Sequence, residues 1–341
     1  MSPRTTGAVW IVVLVLSCLA ACGDGSDGDT YRPVDVTRNV PILVTTSALP
    51  DTGITKCYDN EKEIACPGPG EPFYGQDAQY STNSMDFRDN PGGTVTDNVT
   101  GLIWQKNDDD MGRNWDEARA YCDSLTLGGY SDWRLPDEKE LQSIAHYGKY
   151  NPAILQRYFP GTQPSLYWSA SSFASYPAFA WYVGYGFGAV RSLSKEEIKL
   201  VEGVIEIGSN YVRCVRGRQA QRSLSANGDG TVADNISGLV WQQQGDGVPR
   251  SWEQALRYCE DLTLAGHSDW RLPDCKELRS IVETSKFDPA IDPVFTDARS
   301  APYWSSSTFA YDPSQAWYVN FETGALLTDG KGSEAYVRCV R

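Results

Sequence analysis

The chain has 341 residues, 41% of them hydrophobic and 22% charged, which is the composition of globular protein rather than of a disordered tail. Forty-four acidic against 30 basic side chains give a net charge of -14, which repels phosphate backbones and excludes general nucleic-acid binding. Two histidines, His146 and His267, leave little material for imidazole catalysis or His-rich metal sites.

At the N-terminus, Arg4 precedes an uncharged, largely apolar run over 7–21. A basic start followed by a short apolar segment predicts a secretory signal, and the run is short of the ~20 apolar residues of a spanning helix. It ends in Leu19-Ala20-Ala21-Cys22, which resembles a bacterial lipobox, followed by a Gly/Asp/Ser-rich tether over 23–29. An ordinary signal with an incidental cysteine is the alternative. The resemblance implies cleavage after residue 21 and acylation of Cys22, hence attachment to a membrane through lipid. Gly23, rather than Asp, after the cysteine implies sorting to the outer membrane. The expectation is a lipoprotein signal peptide (1–21), a tether and leader (22–84), and an exported, lipid-anchored mature chain. Residues 30–80 read as a separate leader rich in Pro, Gly and Asp, with one apolar run over 40–45.

An internal repeat dominates the rest. Thr94-Val95-Thr96-Asp97-Asn98-Val99-Thr100-Gly101-Leu102-Ile103-Trp104-Gln105 returns 137 residues later, ending in Gly238-Leu239-Val240-Trp241-Gln242, with eight identities in twelve positions. Residues 114–144 match 251–281 with twenty identities in thirty-one, including Ser131-Asp132-Trp133-Arg134-Leu135-Pro136-Asp137 against Ser268-Asp269-Trp270-Arg271-Leu272-Pro273-Asp274. Tyr167-Trp168-Ser169 returns as Tyr303-Trp304-Ser305 at an offset of 136, and Tyr211-Val212-Arg213-Cys214-Val215-Arg216 returns as Tyr336-Val337-Arg338-Cys339-Val340-Arg341 at 125. The first copy therefore carries eleven additional residues around 192–208. Units of this size indicate tandem domains rather than a solenoid, joined by a polar, basic linker over 217–225.

Within the first copy, Trp115, Ala118, Cys122 and Leu125 are spaced for one buried face of a helix over 115–125. In the second copy the corresponding helix opens on the capping-box pattern Ser251-Trp252-Glu253-Gln254. Another helix follows Pro136, with Asp137 as N-cap, Glu140 three residues on, and Leu141, Ile144 and Ala145 facing inward. Short strands are predicted over 167–170, 179–185 and 211–216, and Asn227-Gly228-Asp229-Gly230 reads as a hairpin turn. The class is α+β.

Of nine cysteines, Cys18 leaves with the signal and Cys22 is the anchor. Cys122 and Cys214 recur as Cys259 and Cys339, and in an oxidising compartment each pair reads as one long-range disulfide worth ~4–4.5 kcal/mol in the chain-entropy model. Cys57 and Cys66 would close a third, short loop. Cys275, which stands where the first copy has Glu138, is left over. It reads as drift, as an intermolecular link, or as a nucleophile activated by a helix N-terminus.

The Asp-Asn-x-x-Gly-Leu-x-Trp strand, the Trp-x-x-Ala-x-x-Tyr-Cys helix, Asp-Trp-Arg-Leu-Pro-Asp, Tyr-Trp-Ser and the closing Tyr-Val-Arg-Cys-Val-Arg resemble the Lcl C-terminal domain family, named after a bacterial collagen-like adhesin. Both copies carry the pattern, over 85–216 and 224–341. The family is similar to C-type-lectin-like folds and to formylglycine-generating enzymes. The resemblance implies two tandem C-type-lectin-like domains, each with two helices and a mainly antiparallel sheet. It also implies an envelope-anchored ligand-binding or adhesion lipoprotein that takes a glycan or a surface partner. The alternatives are a structural or assembly lipoprotein of the periplasm or outer membrane and, further off, a degenerate formylglycine-generating-like enzyme. The adhesin's Gly-X-Y repeats have no counterpart in the sequence, and the acidic surface argues against carrying over its sulfated-polysaccharide ligand.

Trp104, Trp115, Trp133, Trp168 and Trp181 read as core, and Arg134/Arg271 and Arg213/Arg338 as internal salt-bridge or backbone-bonding residues. Asp132, Asp137, Asp269 and Asp274 are Ca²⁺ candidates, with helix capping as the plainer reading, and no other cofactor is expected. The run Asp108-Asp109-Asp110 reads as a solvated loop. The motifs present point to a binder rather than an enzyme. The candidate ligand loop lies between the Tyr-Trp-Ser strand and the next Trp: Phe173, Tyr176 and Phe179 in the first copy, Phe309 and Tyr311 in the second. Tyr176 and Phe179 stand where the second copy has Asp312 and Gln315, a polarity swap that predicts exposure; the alternative is that Phe179 begins a core strand.

Overall fold

Helix starts in the computed structural model are set by side chains that the sequence places three residues apart. The structure describes residues 48–196, 198–201, 204–207, 209–217 and 223–341. The expected signal segment, Cys22, the apolar run 40–45 and part of the linker lie outside the described residues. A leader hairpin, β1 (Cys57–Tyr58) and β2 (Glu63–Ile64), is closed by the Cys57–Cys66 disulfide. The first copy runs β3 (Phe87–Asn90), β4 (Thr94–Asp97), β5 (Ile103–Gln105), α1 (Trp115–Ser124), α2 (Glu138–Ser143), β6 (Leu166–Ser172), β7 (Phe179–Gly184) and β8 (Ala189–Ser194). The hairpin β9 (Ile198–Val201) and β10 (Val204–Ile207) then occupies the eleven-residue insertion, before β11 (Val215–Arg216). The second copy repeats the order as β12 (Leu224–Ala226), β13 (Thr231–Asp234), β14 (Val240–Gln242), α3 (Trp252–Glu260), α4 (Cys275–Ser280), β15 (Pro302–Thr308), β16 (Gln315–Asn320) and β17 (Ala325–Gly330). The fold is α+β, with antiparallel sheets and four short helices among the described residues. None of these helices is long and apolar enough to cross a membrane.

Each helix begins on a reciprocal capping box: Asn114 with Glu117, Asp137 with Glu140, Ser251 with Gln254, and Asp274 with Glu277. These pairs satisfy N–H groups that the first turn leaves without intrahelical partners. Trp115, Ala118 and Cys122 form the buried face of α1, and Trp252, Ala255, Leu256 and Cys259 that of α3. The Cys122–Cys214 and Cys259–Cys339 disulfides tie each helix to the closing segment of its copy.

The two copies meet in one six-stranded sheet of order β15-β16-β17-β8-β7-β6. Its central pairing sets Val190 on β8 opposite Leu326 on β17, and these two are repeat equivalents at the offset of 136. A residue that pairs with its own counterpart marks an isologous, two-fold contact of the kind homodimers make, realised here inside one chain. The core follows the sheet: Leu141, Ile144, Tyr147 and Trp181 belong to the same buried cluster as Leu278, Ile281, Trp317 and Leu326. Lysines cross the junction reciprocally. Lys139 donates from Nζ to the Ser280 carbonyl at 3.2 Å, and Lys276 donates to the Ser143 carbonyl at 2.9 Å. The two repeats expected from the sequence therefore share a sheet and a core.

The described part of the leader is not separate either. Lys276 also donates to the Asp51 carbonyl at 2.9 Å, and the Tyr147 N–H donates to the Thr52 carbonyl at 2.8 Å, so the leader enters between the copies. It continues over the second copy, where Phe73 lies against Trp252 and the Tyr80 hydroxyl donates to Glu260 at 2.8 Å.

Candidate functional site

A rigid frame holds the candidate loops. Trp115 Nε1 donates to the Ser169 carbonyl and Trp252 Nε1 to the Ser305 carbonyl, both at 2.8 Å. Arg213 and Arg338 are fully buried and donate to the carbonyls of Gln105 and Lys106, and of Gln242 and Gln243, respectively. Each arginine also pairs with a carboxylate, Asp108 at 3.0 Å and Asp297 at 2.8 Å. Asp108 is thus not part of a solvated run. Its carboxylate is buried, neutralised by Arg213, and accepts the Tyr167 hydroxyl proton at 2.7 Å.

On this frame the two loops close alike and differ at their tips. The Phe173 N–H donates to the Phe179 carbonyl at 2.9 Å, and the Phe309 N–H to the Gln315 carbonyl at 3.0 Å. In the first copy Phe173, named with the candidate loop, is buried. Its ring meets Trp181 edge-on at 5.4 Å and forms the floor of the loop. Tyr176 is 61% exposed and stands 6.1 Å from Phe179, which begins β7 and still reaches solvent. In the second copy Phe309 is half-buried against Trp317, and Tyr311 is 56% exposed.

Each loop is completed by the other copy. Phe287 of the second copy meets Phe173 at 6.0 Å, while Tyr150 and Phe187 of the first copy meet Tyr311 at 5.3 and 5.1 Å. Tyr150 and Phe287 are repeat equivalents, so the exchange is reciprocal. The result is two composite aromatic faces, each built from both copies. Beside Tyr150 the turn over 148–157 encloses a cleft of about 480 Å³, with Lys149, Asn151 and Gln156 among its lining. Exposed aromatic rings held on a fixed backbone beside polar groups are suited to stacking on the apolar face of a ligand while hydrogen-bonding its rim.

The four Ca²⁺ candidates are used by the protein itself. Asp137 and Asp274 accept N–H groups of α2 and α4 as N-caps. Asp132 and Asp269 pair with the guanidinium groups of Arg216 and Arg341 at 2.7 and 2.9 Å. Capping and ion pairing thus engage all four carboxylates, the plainer of the two readings for Asp137 and Asp274. Among the described residues, no cluster of three His, Cys, Asp or Glu has metal-ligand geometry.

Cys275 opens α4 in full burial, and that burial raises its thiol pKa well above the ordinary value. The N-terminal turn does not activate it, because removal from water outweighs the local dipole. Nearby, burial and the neighbouring Asp51 and Glu277 push the leader's Asp77 up to about 7, against hydroxyl donation from Ser307 and Thr52. Burial brings Lys331 down to about 7 and His146 down to about 4.

The sequence reading singled out residues of both loops but not their partners Tyr150, Phe187 and Phe287 across the junction. One signal was available: both copies place an aromatic residue before an Asn-Pro or Asp-Pro turn, at 150–152 and 287–289. No curated protein matches the chain. The family model of the Lcl C-terminal domain matches it twice, over 93–216 and 230–341. With the shared sheet and paired disulfides in view, the chain belongs to the Lcl C-terminal domain family and carries two copies of that domain.

Proposed function

We propose that the protein is an exported binding lipoprotein of the cell envelope, anchored through Cys22 to the outer membrane, whose two aromatic faces recognise saccharide rings on a surface partner. The observation that carries this reading is the grouping of Tyr150, Phe187, Phe309 and Tyr311 into one face open to solvent. Large aromatic rings left exposed together on a soluble body mark an interaction site more often than chance. Sugar C–H faces stack on such rings, and the adjoining cleft offers polar side chains to hydroxyl groups. The lectin-like character implied by the family resemblance and the lipobox at 19–22 agree with this role. An acidic surface is compatible with it, since stacking does not require a cationic site.

The test has two arms. A variant that strips exposed rings from both faces, Tyr150→Ala/Tyr311→Ala combined with Tyr176→Ala/Phe179→Ala, should keep its melting temperature and lose signal on a glycan microarray or whole-cell panel. Unchanged binding would place the site elsewhere, and a collapsed melting temperature would make these rings core. Protease treatment of intact cells should remove the protein, whereas protection would favour a periplasmic structural role.

A further inference from the structure

The second copy and the leader share a polar junction that the first copy builds from its own residues. In the first copy, the Ser171 hydroxyl donates to the Glu138 carboxylate. The equivalent serine of the second copy is Ser307, and the residue equivalent to Glu138 is Cys275, which has no carboxylate. Ser307 instead donates to the carboxylate of Asp77, which arrives from the leader. Asp77 also accepts the Thr52 hydroxyl at 2.9 and 3.0 Å, so one buried carboxylate binds the leader to itself and to the second copy.

We infer that residues 51–80 form a clasp addressed to the second copy by residue 275, with Asp77 supplying from the leader the one carboxylate that Glu138 supplies within the first copy. A glutamate at 275 would place two carboxylates around Ser307, and two like charges in one buried site repel. A site with no carboxylate would leave the Ser307 and Thr52 hydroxyls without their acceptor, at the cost of buried polar groups left unpaired. The junction therefore works with one carboxylate and fails with none or two. The first copy cannot take an acidic clasp, because Glu138 already fills the place and is held 3.8 Å from Arg279 of the second copy.

The clasp reaches both copies. Its Asp51 carbonyl shares the Lys276 ammonium with Ser143 of the first copy, and its Asp59 carbonyl accepts from Lys331 at 2.7 Å. Gly53, at φ +80°, lies so close to His146 that a Cβ there would come within 2.6 Å of the imidazole. Gly148, two residues on, opens the turn that carries Tyr150. The chain arriving from the N-terminal side is thus fastened at the root of one aromatic face. This assignment stands apart from the binding reading, because its test involves no ligand.

The test is a double-substitution cycle on the full chain, read by amide hydrogen exchange in peptides covering 51–80. Asp77→Ala and Cys275→Glu should each speed exchange by about tenfold, the scale of one lost buried partner. In the combined variant the repulsion has no second carboxylate to act on, so it should exchange no faster than Asp77→Ala alone. Cys275→Ser should remain close to the unsubstituted protein. Additive loosening in the combined variant, or unchanged exchange in either single variant, would overturn the assignment.

Discussion

The two copies share a buried frame and differ most where they meet the leader or solvent. Arg213 and Arg338 make the same carbonyl contacts, and Trp115 and Trp252 the same indole bond. The differences gather at Glu138 against Cys275, at the loop tips, and at the insertion that forms β9 and β10. Internal duplication lets the two halves of a two-fold junction diverge separately, which identical protomers cannot do. Here one copy has become the seat of the leader while the other keeps its own carboxylate.

The buried arginines give the largest contrast between the copies. Asp108 is nearly inaccessible beside Arg213, whereas Asp297 is 27% exposed beside Arg338. Removing one partner of a buried ion pair costs about 3–5 kcal/mol, so Asp108→Ala should approach that loss in denaturant unfolding. Asp297→Ala should cost clearly less, because water can reach the arginine that remains. Equal losses would show that the two frames are energetically the same despite their different exposure.

A smaller contrast is carried by two equivalent lysines that lie over equivalent tryptophans. Lys195 stands 3.9 Å from the Trp115 ring and Lys331 stands 4.0 Å from the Trp252 ring, but the leader covers only the latter. Burial lowers Lys331 from 10.5 to about 7, so the unfolded chain binds more protons than the folded one between those values. Stability then rises with pH from 7 to 10.5, by at most about 1.4 kcal/mol per pH unit for one proton. Lys331→Met should flatten that slope, and Lys195→Met should change it much less. An unchanged slope in Lys331→Met would remove the leader's shielding of this site from the account.

What could be read from the sequence was local or repeated. The caps at 137–140 and 251–254 each lie within four residues, and helices begin there. The domain disulfides were legible because both cysteines recur in both copies. Asp108 was misread because its partner Arg213 is 105 residues away and a run of three acids resembles a solvated loop. The leader's docking turns on Asp77 and Ser307, 230 residues apart and unlike in pattern. The crossing of Tyr150 to Tyr311 depends on a two-fold junction that no local periodicity encodes.

That crossing is the centre of the account, and a double-mutant cycle on binding tests it most directly. Tyr150→Ala and Tyr311→Ala lie in different copies, yet their rings meet at 5.3 Å in an edge-on contact. On the same glycan microarray, each variant should weaken the same spots, and the double variant should lose less than the sum of the two, as coupled neighbours do. Losses confined to one variant, falling on different glycans, or simply additive would contradict a face built jointly by the two copies.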